Sequence, residues 1–506
     1  MNDAVKEEIK VEAVTLKELL EKAEFPLGFD NYQRPYVWTA KKIKQLLDDL
    51  VEFTNNQSSK PNYYMGVLLL HKNSEKEYLF VIDGQQRLTS LSVLHHVLTE
   101  SLPENIKFEY RSPLSAKNIQ QAKTIFSAEL KLENLRDKIK NIFEQLTFTV
   151  VTVNNEDLAF TFFDTQNNRG VPLKATDLLK AFHLRAINSK REEHSEEHKV
   201  DDEKLQMLCA RRWENLQQHG EKEKQKGSDF APKLFHEYLW RARNWTGQKN
   251  IVRETHDDVL ETFQTRSVFT EEVNKLPLYV NVNNCRASAL TLQENDQFIL
   301  HLKPIDLTNS AESLPFSLRQ PIHQGVGFFL YAEKYATLIK QTLHDEEPTT
   351  ELKAFRVFYK DVVKSLSHYL QELYLLAIVM YIDKFSHKQL LEFALWLDYS
   401  IGSIRLDKFY IFKQAPLNYL KHNSEQNLLD VIAGAYRADE IIYFLKMDES
   451  VRKIYEKGAI DIECGKGVKG EYLQKSLEYY GKKKEDIKQK STWIVEDFIE
   501  GKINVH

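Results

Sequence analysis

The chain has 506 residues, of which 42% are hydrophobic and 28% charged, enough for roughly two to four globular domains. Its formal net charge of -5 excludes a global positive field, so any binding of nucleic acid requires a local basic patch. Three widely spaced cysteines argue against a disulfide framework and a zinc ribbon. The lack of an apolar run of ~18 residues argues against a membrane span. Together these features predict a soluble cytoplasmic protein.

The first part of the chain mixes helix and strand patterns. Helical spacing of apolar residues indicates helices, and short apolar or β-branched runs indicate strands. The predicted helices cover residues 39–54, 115–144 and 156–165, with another that begins near Thr176, and the predicted strands cover residues 63–71, 78–82 and 146–153. These patterns predict an α/β domain.

An aromatic and polar cluster, NYQRPYVW, lies at residues 31–38, just before the first of these helices. Gln33 and Arg34 can donate hydrogen bonds, and Tyr36 and Trp38 are candidates for base stacking. The alternative is that the aromatic rings form part of the core and that Arg34 pairs with an acid.

A strand-to-helix corner, DGQQR, follows at Asp83 to Arg87. Free backbone N–H groups and the positive end of the helix dipole favour a bound phosphate at such a corner, and Gly84 allows close approach. Arg87 supplies a fork of donors that suits phosphate oxygens, and Asp83 is a candidate to cap the helix or hold a metal. The alternative is an ordinary corner with Asp83 as N-cap and Arg87 on the surface.

A third cluster, NNRG, occupies residues 167–170, between two predicted helices. Asn167, Arg169 and Gly170 would bring a second guanidinium and an amide towards the site. A connector turn is the alternative, since such turns commonly contain glycine.

The second part of the chain has a different character. Residues 188–228 are mostly charged and predict a linker or an exposed helix. The signals beyond residue 229 are overwhelmingly helical and predict, among others, one helix over 352–382 and one over 427–445. His194 and His198 have the spacing of metal ligands on one helix face, but they lie in an acid-rich run that favours a solvated surface. The predicted divisions are 1–187, 188–228 and 229–506.

Taken in order, YQRPYVW, YYMGVLLL, VIDGQQRLTSL and FxxxNxRGxPL resemble the N-terminal domain of GmrSD-type modification-dependent (type IV) restriction enzymes. That domain is related to the ParB/sulfiredoxin superfamily. The resemblance covers roughly residues 10–250. It implies an α+β protein, with a ParB/sulfiredoxin-like N-terminal α/β domain followed here by a large all-α domain.

The resemblance further implies that the DGQQR domain binds and hydrolyses a nucleoside triphosphate (NTP) with Mg²⁺. Asp83, Gln85, Gln86 and Arg87 would then be catalytic, with Asp83 on the metal and a glutamine on the attacking water. The residues expected to bind the nucleotide or its phosphates are Tyr32, Gln33, Arg34, Gly84, Asn167, Arg169 and Gly170. The sequence leaves the nucleotide base open among ATP, GTP and UTP.

Fused members of the family end in an HNH-type nuclease domain. His301 to Pro304 fits the His-x-x-Pro spacing, but no asparagine and basic pattern follows it. The expected function is therefore an NTP-dependent sensor of modified phage DNA that licenses a separate HNH-type nuclease in antiviral defence. A self-contained ParB-like nuclease and a nucleotide-switched DNA-binding protein without hydrolysis are the alternatives. The DNA modification and any homo-oligomer stay open.

Overall fold

The computed structural model describes residues 9–30, 33–55, 62–110, 112–131, 135–155, 158–159, 162, 174–188, 196–217, 230–247, 251–269, 288–292, 298–302, 314–344, 347–421, 427–457 and 463–505. The chain divides into two compact units, Met1–Asn215 and Leu216–His506. This division lies inside the predicted 188–228 segment, where a helix spans Glu196–Gln217. The predicted limits 1–187, 188–228 and 229–506 stay predictions.

The first unit contains a six-stranded mixed sheet. Its strands are β1 (Ile9–Thr15), β2 (Leu27–Gly28), β3 (Tyr63–Asn73), β4 (Tyr78–Asp83), β5 (Ile106–Lys107) and β6 (Leu146–Val153). The order across the sheet is β1-β6-β3-β4-β2-β5. Antiparallel pairing joins β1 to β6 and β3 to β4, whereas β3–β6, β2–β4 and β2–β5 are parallel. The three predicted strands are therefore confirmed as β3, β4 and β6, and they form the centre of the sheet.

Helices pack around this sheet. They are α1 (Leu16–Lys22), α2 (Ala40–Asn55), α3 (Gln85–Thr99), α4 (Pro113–Glu129), α5 (Leu135–Ile139), α6 (Ala175–Asn188) and α7 (Glu196–Gln217). The predicted apolar face of α2 is buried, and Ile43 and Leu50 lie in the same core as Leu70 and Val81 of the sheet. The predicted helix at 156–165 lies mostly outside the described residues.

Helix α3 is buried on nearly all sides although its sequence contains many polar residues. The hydroxyl groups of Thr89, Ser90 and Ser92 each donate a hydrogen bond to the backbone carbonyl four residues earlier. These bonds satisfy the hydroxyl donors within the helix itself, so burial costs little. A helix with these polar residues can therefore be buried in the core directly after the DGQQR corner.

The second unit is helical with one small sheet. Its longer helices are Val326–His344, Thr350–Asp361, His368–Phe385, Leu390–Asp407, Ala438–Lys446, Glu449–Lys457, Gly467–Tyr480 and Glu496–Asn504. The α+β class is confirmed. The region beyond residue 229 is expected to be all-α, but it also contains a two-stranded antiparallel sheet of Ser288–Leu292 and Phe298–Leu302. His301 lies within the second of these strands.

Two long predicted helices in this unit are each split. The prediction of one helix over 352–382 was wrong because Leu366 and Ser367 have extended backbone and Ser367 is the N-cap of a new helix. The prediction over 427–445 was wrong because one helix ends at Gly434 and the next begins after an extended Arg437. Apolar periodicity continues across such short breaks, since both halves present an apolar face to the same core.

Candidate functional site

The corner between β4 and α3 depends on Gly84. This residue is the N-cap of α3 and has a φ of 101°, in the left-handed region. A β-carbon here would lie 2.2 Å from Cδ2 of the buried Leu68, so any other residue would have to displace that side chain and would strain the backbone. Gly84 rather than Asp83 is therefore the N-cap, and no side chain caps this helix.

The Arg87 guanidinium faces β3. Its Nη1 donates to the carbonyl of Met65 (2.8 Å), and its Nη2 donates to the carbonyl of Val67 (2.6 Å) and to the Asp83 carboxylate (3.3 Å). The register of β3 is irregular here, between Tyr64 and Val67. Arg87 thus supplies hydrogen bonds to carbonyls of an irregular strand, and both of its terminal nitrogens are engaged within the protein.

The two glutamines of the corner hold the segment that contains Arg34. Gln85 Nε2 donates to the carbonyl of Arg34 (2.8 Å), and Gln86 Nε2 donates to the carbonyl of Pro35 (3.0 Å). Gln86 Oε1 also accepts from the backbone N–H of Val37 (2.8 Å). The YQRPYVW and DGQQR segments, which are 51 residues apart at these bonds, therefore form one assembly. Both the nitrogen and the oxygen of the Gln86 amide form hydrogen bonds between the two segments.

Two aromatic residues of the YQRPYVW segment, Tyr36 and Trp38, pack in the core. Tyr36 is completely buried, burial raises the pKa of its hydroxyl to about 12, and that hydroxyl lies 2.8 Å from Oγ of Ser90. Trp38 is partly buried and packs against the same core. The expectation that Tyr36 stacks on a base is not met in this conformation, because neither face of its ring is accessible.

A polar pocket opens beside this assembly. Its cavity volume is about 50 Å³, or about 470 Å³ when the open solvent at its mouth is counted. Gln33, Arg34 and Gln85 contribute from the two segments, whereas Asp83, Gly84, Gln86 and Arg87 are not among its lining residues. The remaining lining residues are Phe29, Asp30, Pro35, Glu109, Tyr110, Ser112, Ser115, Lys180, Ala210 and Glu214.

Lys180 and Glu214 form the buried end of this pocket. The Lys180 Nζ lies 2.7 Å from Oε1 of Glu214, and the two side chains are 4% and 7% exposed. Lys180 also donates to the carbonyl of Gln33 (3.0 Å). The Gln33 amide in turn donates to the carbonyl of Val81 at the end of β4 (2.6 Å). A buried charged pair is thus connected through Gln33 to the sheet.

Arg34 and an aromatic wall provide the other recognition features. Arg34 is half-buried, and its guanidinium has no hydrogen bond or ion pair with any residue that the structure describes. Phe29 stacks on Phe108 with ring centroids 4.1 Å apart, and Tyr110 meets Phe29 edge-on at 5.5 Å. Flat apolar side chains and an unpaired cation are features that suit an aromatic ligand with an anionic group.

The sequence therefore indicated part of this site. It missed Lys180, Glu214 and Phe29. Lys180 had a usable signal, since it is a single lysine in the apolar run LLKAFHL, whereas Glu214 is one acid among many in a charged stretch. Four predicted site residues lie outside the described part of the chain: Tyr32, Asn167, Arg169 and Gly170.

The described residues contain no group of three or more His, Cys, Asp or Glu side chains placed to hold a metal ion. The Asp83 carboxylate is 37% exposed and is paired with Arg87. A Mg²⁺ ion would therefore need most of its oxygen ligands from a bound phosphate or from water, which is its common mode in nucleotide sites. Within the same described residues, no helix is both long and apolar enough to cross a membrane.

Two regions of the chain match known protein families. Residues 16–184 match the GmrSD restriction endonuclease N-terminal domain, which confirms the resemblance stated from the motifs. Residues 205–460, about half of the chain, match a family of unknown function, DUF7834. No curated protein matches the sequence. Lys180 lies in the first matched region and Glu214 in the second, so both regions contribute to the pocket. The chain belongs to the DUF7834 family and carries a GmrSD-type N-terminal domain.

Proposed function

We propose that this protein is an NTP-binding and NTP-hydrolysing sensor subunit of a modification-dependent restriction system. It recognises modified phage DNA and licenses cleavage by a separate HNH-type nuclease. The match of residues 16–184 to a restriction endonuclease domain supports the link to DNA restriction. The observation that carries the nucleotide part is the pocket where Arg34, Gln85 and Lys180 meet.

The pocket has an arrangement suited to a nucleotide. Its buried end carries hydrogen-bonding groups, and its wall includes Phe29 and Tyr110. The Arg34 guanidinium has no partner among the described residues and is only half-buried. We assign the base to the buried end and the phosphates to Arg34, because guanidinium groups bind phosphate oxygens in a bidentate manner. Hydrolysis of a phosphoanhydride then depends on positioning and on neutralisation of charge.

The expected roles of Arg87, Gln86 and Asp83 change in this proposal. Arg87 and Gln86 act as positioning residues, since their polar atoms hold β3 and the YQRPYVW segment. Mg²⁺ would arrive with the nucleotide, and Asp30 and Glu109 are carboxylates of the pocket lining. Asp83 keeps Arg87 in place through their ion pair.

A candidate DNA contact lies in the second unit. Phe409, Tyr410 and Phe412 are 74%, 68% and 68% exposed, between the exposed Lys408 and Lys413. Arg405 donates to the carbonyls of Lys408 (2.7 Å) and Phe409 (2.6 Å), which fixes the backbone of this loop. Exposed rings between lysines suit stacking on bases with contacts to phosphates, and they supply the local basic patch that a chain of negative net charge requires.

Nucleotide binding and turnover by the purified full-length chain test the proposal. Arg34→Ala should weaken triphosphate binding by at least about tenfold and abolish turnover, because a bidentate phosphate contact is lost. Arg136→Ala is the control, since Arg136 is an exposed arginine of the same unit outside the pocket lining. Equal binding by the two variants would contradict the assignment of Arg34.

The DNA part needs its own assay. Replacement of Phe409, Tyr410 and Phe412 by serine should weaken binding of modified DNA, while Tyr436→Ser, at another highly exposed aromatic residue, should not. Cleavage of DNA by the chain alone would favour the self-contained nuclease. Nucleotide binding without turnover would favour the nucleotide switch.

A further inference from the structure

Two buried oxygen atoms of pocket-lining residues have no hydrogen-bond partner among the residues that the structure describes. They are Oε1 of Gln85 and Oε2 of Glu214, and their residues are both 6% exposed. The orientation of the Gln85 amide is fixed, because its nitrogen donates to the Arg34 carbonyl. Buried acceptors without donors cost roughly 1–3 kcal/mol each, so a pocket of this kind is complementary to a ligand that brings donors.

A metal ion is a poor candidate for this ligand. No three His, Cys, Asp or Glu side chains come together as a metal site in the described residues, which include Glu214 and the pocket's other carboxylates. The Lys180 ammonium lies 2.7 Å from the Glu214 carboxylate and would repel a second cation there. The missing donors are therefore best supplied by N–H groups of an organic ligand.

Lys180 contributes a hydrogen-bond donor to the pocket rather than an acceptor. An ammonium group has three N–H donors, and two of them are directed to the Gln33 carbonyl and to Glu214 Oε1. The buried end of the pocket thus presents two open acceptors and one remaining donor. A matching ligand has two N–H donors and one acceptor.

Among the nucleobases, guanine has this pattern. Its Watson–Crick edge carries the N1–H and N2 amino donors beside the O6 acceptor, whereas adenine and cytosine have one amino group next to a ring acceptor. Uracil has a single N–H between two carbonyls. Carboxylate and amide oxygens are natural acceptors for the two guanine donors.

We infer that the pocket selects guanine and that Glu214, from the region matched to DUF7834, determines this selectivity together with Gln85. The inference rests on the proposed nucleotide site. The guanine can belong to a free nucleotide or to an unpaired base of DNA, because both expose the same edge.

The first test uses the unaltered full-length chain. Binding of GTP, ITP and ATP is compared, with ITP as the matched ligand that lacks only the N2 amino group. GTP should bind at least about tenfold more tightly than ITP and ATP, since a buried acceptor loses its donor in each competitor. Equal affinities would overturn the guanine inference but leave the nucleotide site intact.

A second arm separates the two sources of guanine. Single-stranded oligonucleotides with one guanine or one hypoxanthine are used as competitors of GTP. Competition that requires guanine assigns the pocket to a DNA base. Binding of neither nucleotides nor guanine-containing oligonucleotides would overturn both the proposed site and the inference.

A variant tests Glu214 itself. Glu214→Gln replaces an acceptor oxygen by a donor, so it should weaken GTP binding by about tenfold or more and improve binding of XTP, which has a carbonyl in place of the guanine amino group. Glu203→Gln is the control, because Glu203 is an exposed residue of the same helix.

A second variant covers the case in which Glu214→Gln does not fold. Glu214→Gln leaves Lys180 without its carboxylate partner, so Lys180→Met with Glu214→Gln is made in parallel to remove the unpaired charge. If a folded variant of either kind keeps the full preference for GTP over XTP, Glu214 does not determine selectivity.

Discussion

A β-carbon on residue 66 would lie 2.6 Å from Nη1 of Arg87, so the guanidinium fills the space that Gly66 leaves open. Gly66 has a φ of 99°, in the left-handed region, at the irregularity of β3. Arg87 then donates to the carbonyls on either side of this glycine. The arginine of DGQQR and a glycine 21 residues earlier therefore form one packing unit within the sheet.

This relationship predicts that substitutions of Arg87 affect stability as well as activity. Arg87→Lys keeps the charge but cannot reach both carbonyls, and we expect a loss of roughly 1–3 kcal/mol in local stability. Gly66→Ala should cost a similar amount because of the backbone strain and the contact with Nη1. Hydrogen–deuterium exchange in β3 and α3 measures both effects.

Gly501→Ala is the control for the glycine change. Gly501 lies in a helix with nothing within 4 Å of a β-carbon, so alanine should be neutral or stabilising there. Unchanged exchange in Arg87→Lys with loss of turnover would instead support direct contact of Arg87 with phosphate.

The buried pair in the pocket gives a second prediction. Lys180→Met leaves the Glu214 carboxylate buried without its counterion, and we expect a loss of roughly 3–5 kcal/mol in the free energy of unfolding. The double variant Lys180→Met with Glu214→Met should lose less than Lys180→Met alone. Urea denaturation of the double variant and of the single variants Lys180→Met and Glu214→Met measures the difference. A double variant that loses the sum of both single effects would show that the charges are not coupled.

The sequence predicted the local elements of the first unit well. The runs at 63–71, 78–82 and 146–153 are strands because each is short, apolar or β-branched, and bounded by polar residues. It did not predict β1 and α1. It also missed the two-residue strands β2 and β5, since two residues carry no periodicity. The breaks near Leu366 and Gly434 were missed because the apolar spacing continues across them.

The sequence predicted only those parts of the site that lie within short sequence motifs. The sequence identified the segments of Arg34 and Gln85, and the structure joins them. It could not tell which side chains of a motif face a ligand: Gln85 lines the pocket, whereas Gln86 and Arg87 bond to backbone. That difference depends on the glycine at residue 84 and on the path of β3, and both are tertiary features.

The aromatic wall gives a third prediction. Phe29→Leu should weaken nucleotide binding by roughly 1–3 kcal/mol, the usual value of one stacked base, because Phe29 lines the pocket. Trp38→Leu is the comparison, since Trp38 packs against the core and is not part of the lining. Titration with a fluorescent nucleotide measures both affinities. A larger effect at Trp38, in a variant that still folds, would restore the stacking role expected from the sequence.

His71 gives a prediction about pH. Burial lowers the pKa of this histidine below its ordinary value of 6.5, although Asp30 acts in the opposite direction. The unfolded chain therefore binds the proton more tightly, and stability should decrease as the pH falls below about 6.5 towards the folded-state pKa. Melting temperatures from about pH 7 to about pH 5.5 measure this slope, which should be smaller in His71→Phe.

Substitution of an exposed histidine is the control for this measurement. His256 has a 44% exposed side chain in the second unit, and His256→Phe should leave the slope as it is. An unchanged slope in His71→Phe would show that other groups produce the loss of stability in acid.

The last prediction concerns a buried cluster in the second unit. Lys490 Nζ lies 2.7 Å from Oδ2 of Asp398, and both side chains are completely buried. The Tyr472 hydroxyl donates to Oδ1 of the same carboxylate (2.9 Å). Lys490→Met leaves Asp398 with Tyr472 as its only hydrogen-bond donor among the described side chains, so we expect a loss of roughly 3–5 kcal/mol in the free energy of unfolding.

Two comparisons make this prediction specific. Tyr472→Phe removes the hydrogen bond to Asp398 and the one accepted from Lys490 (3.1 Å) but keeps the ion pair, so it should cost less, roughly 1.5–3 kcal/mol. Lys446→Met removes the partly exposed Lys446–Glu392 pair and should cost less than about 1 kcal/mol. The expected order of loss in urea denaturation is therefore Lys490→Met, Tyr472→Phe and Lys446→Met. A loss in Lys490→Met no larger than that in Lys446→Met would contradict the stabilising role of the buried Lys490–Asp398 pair.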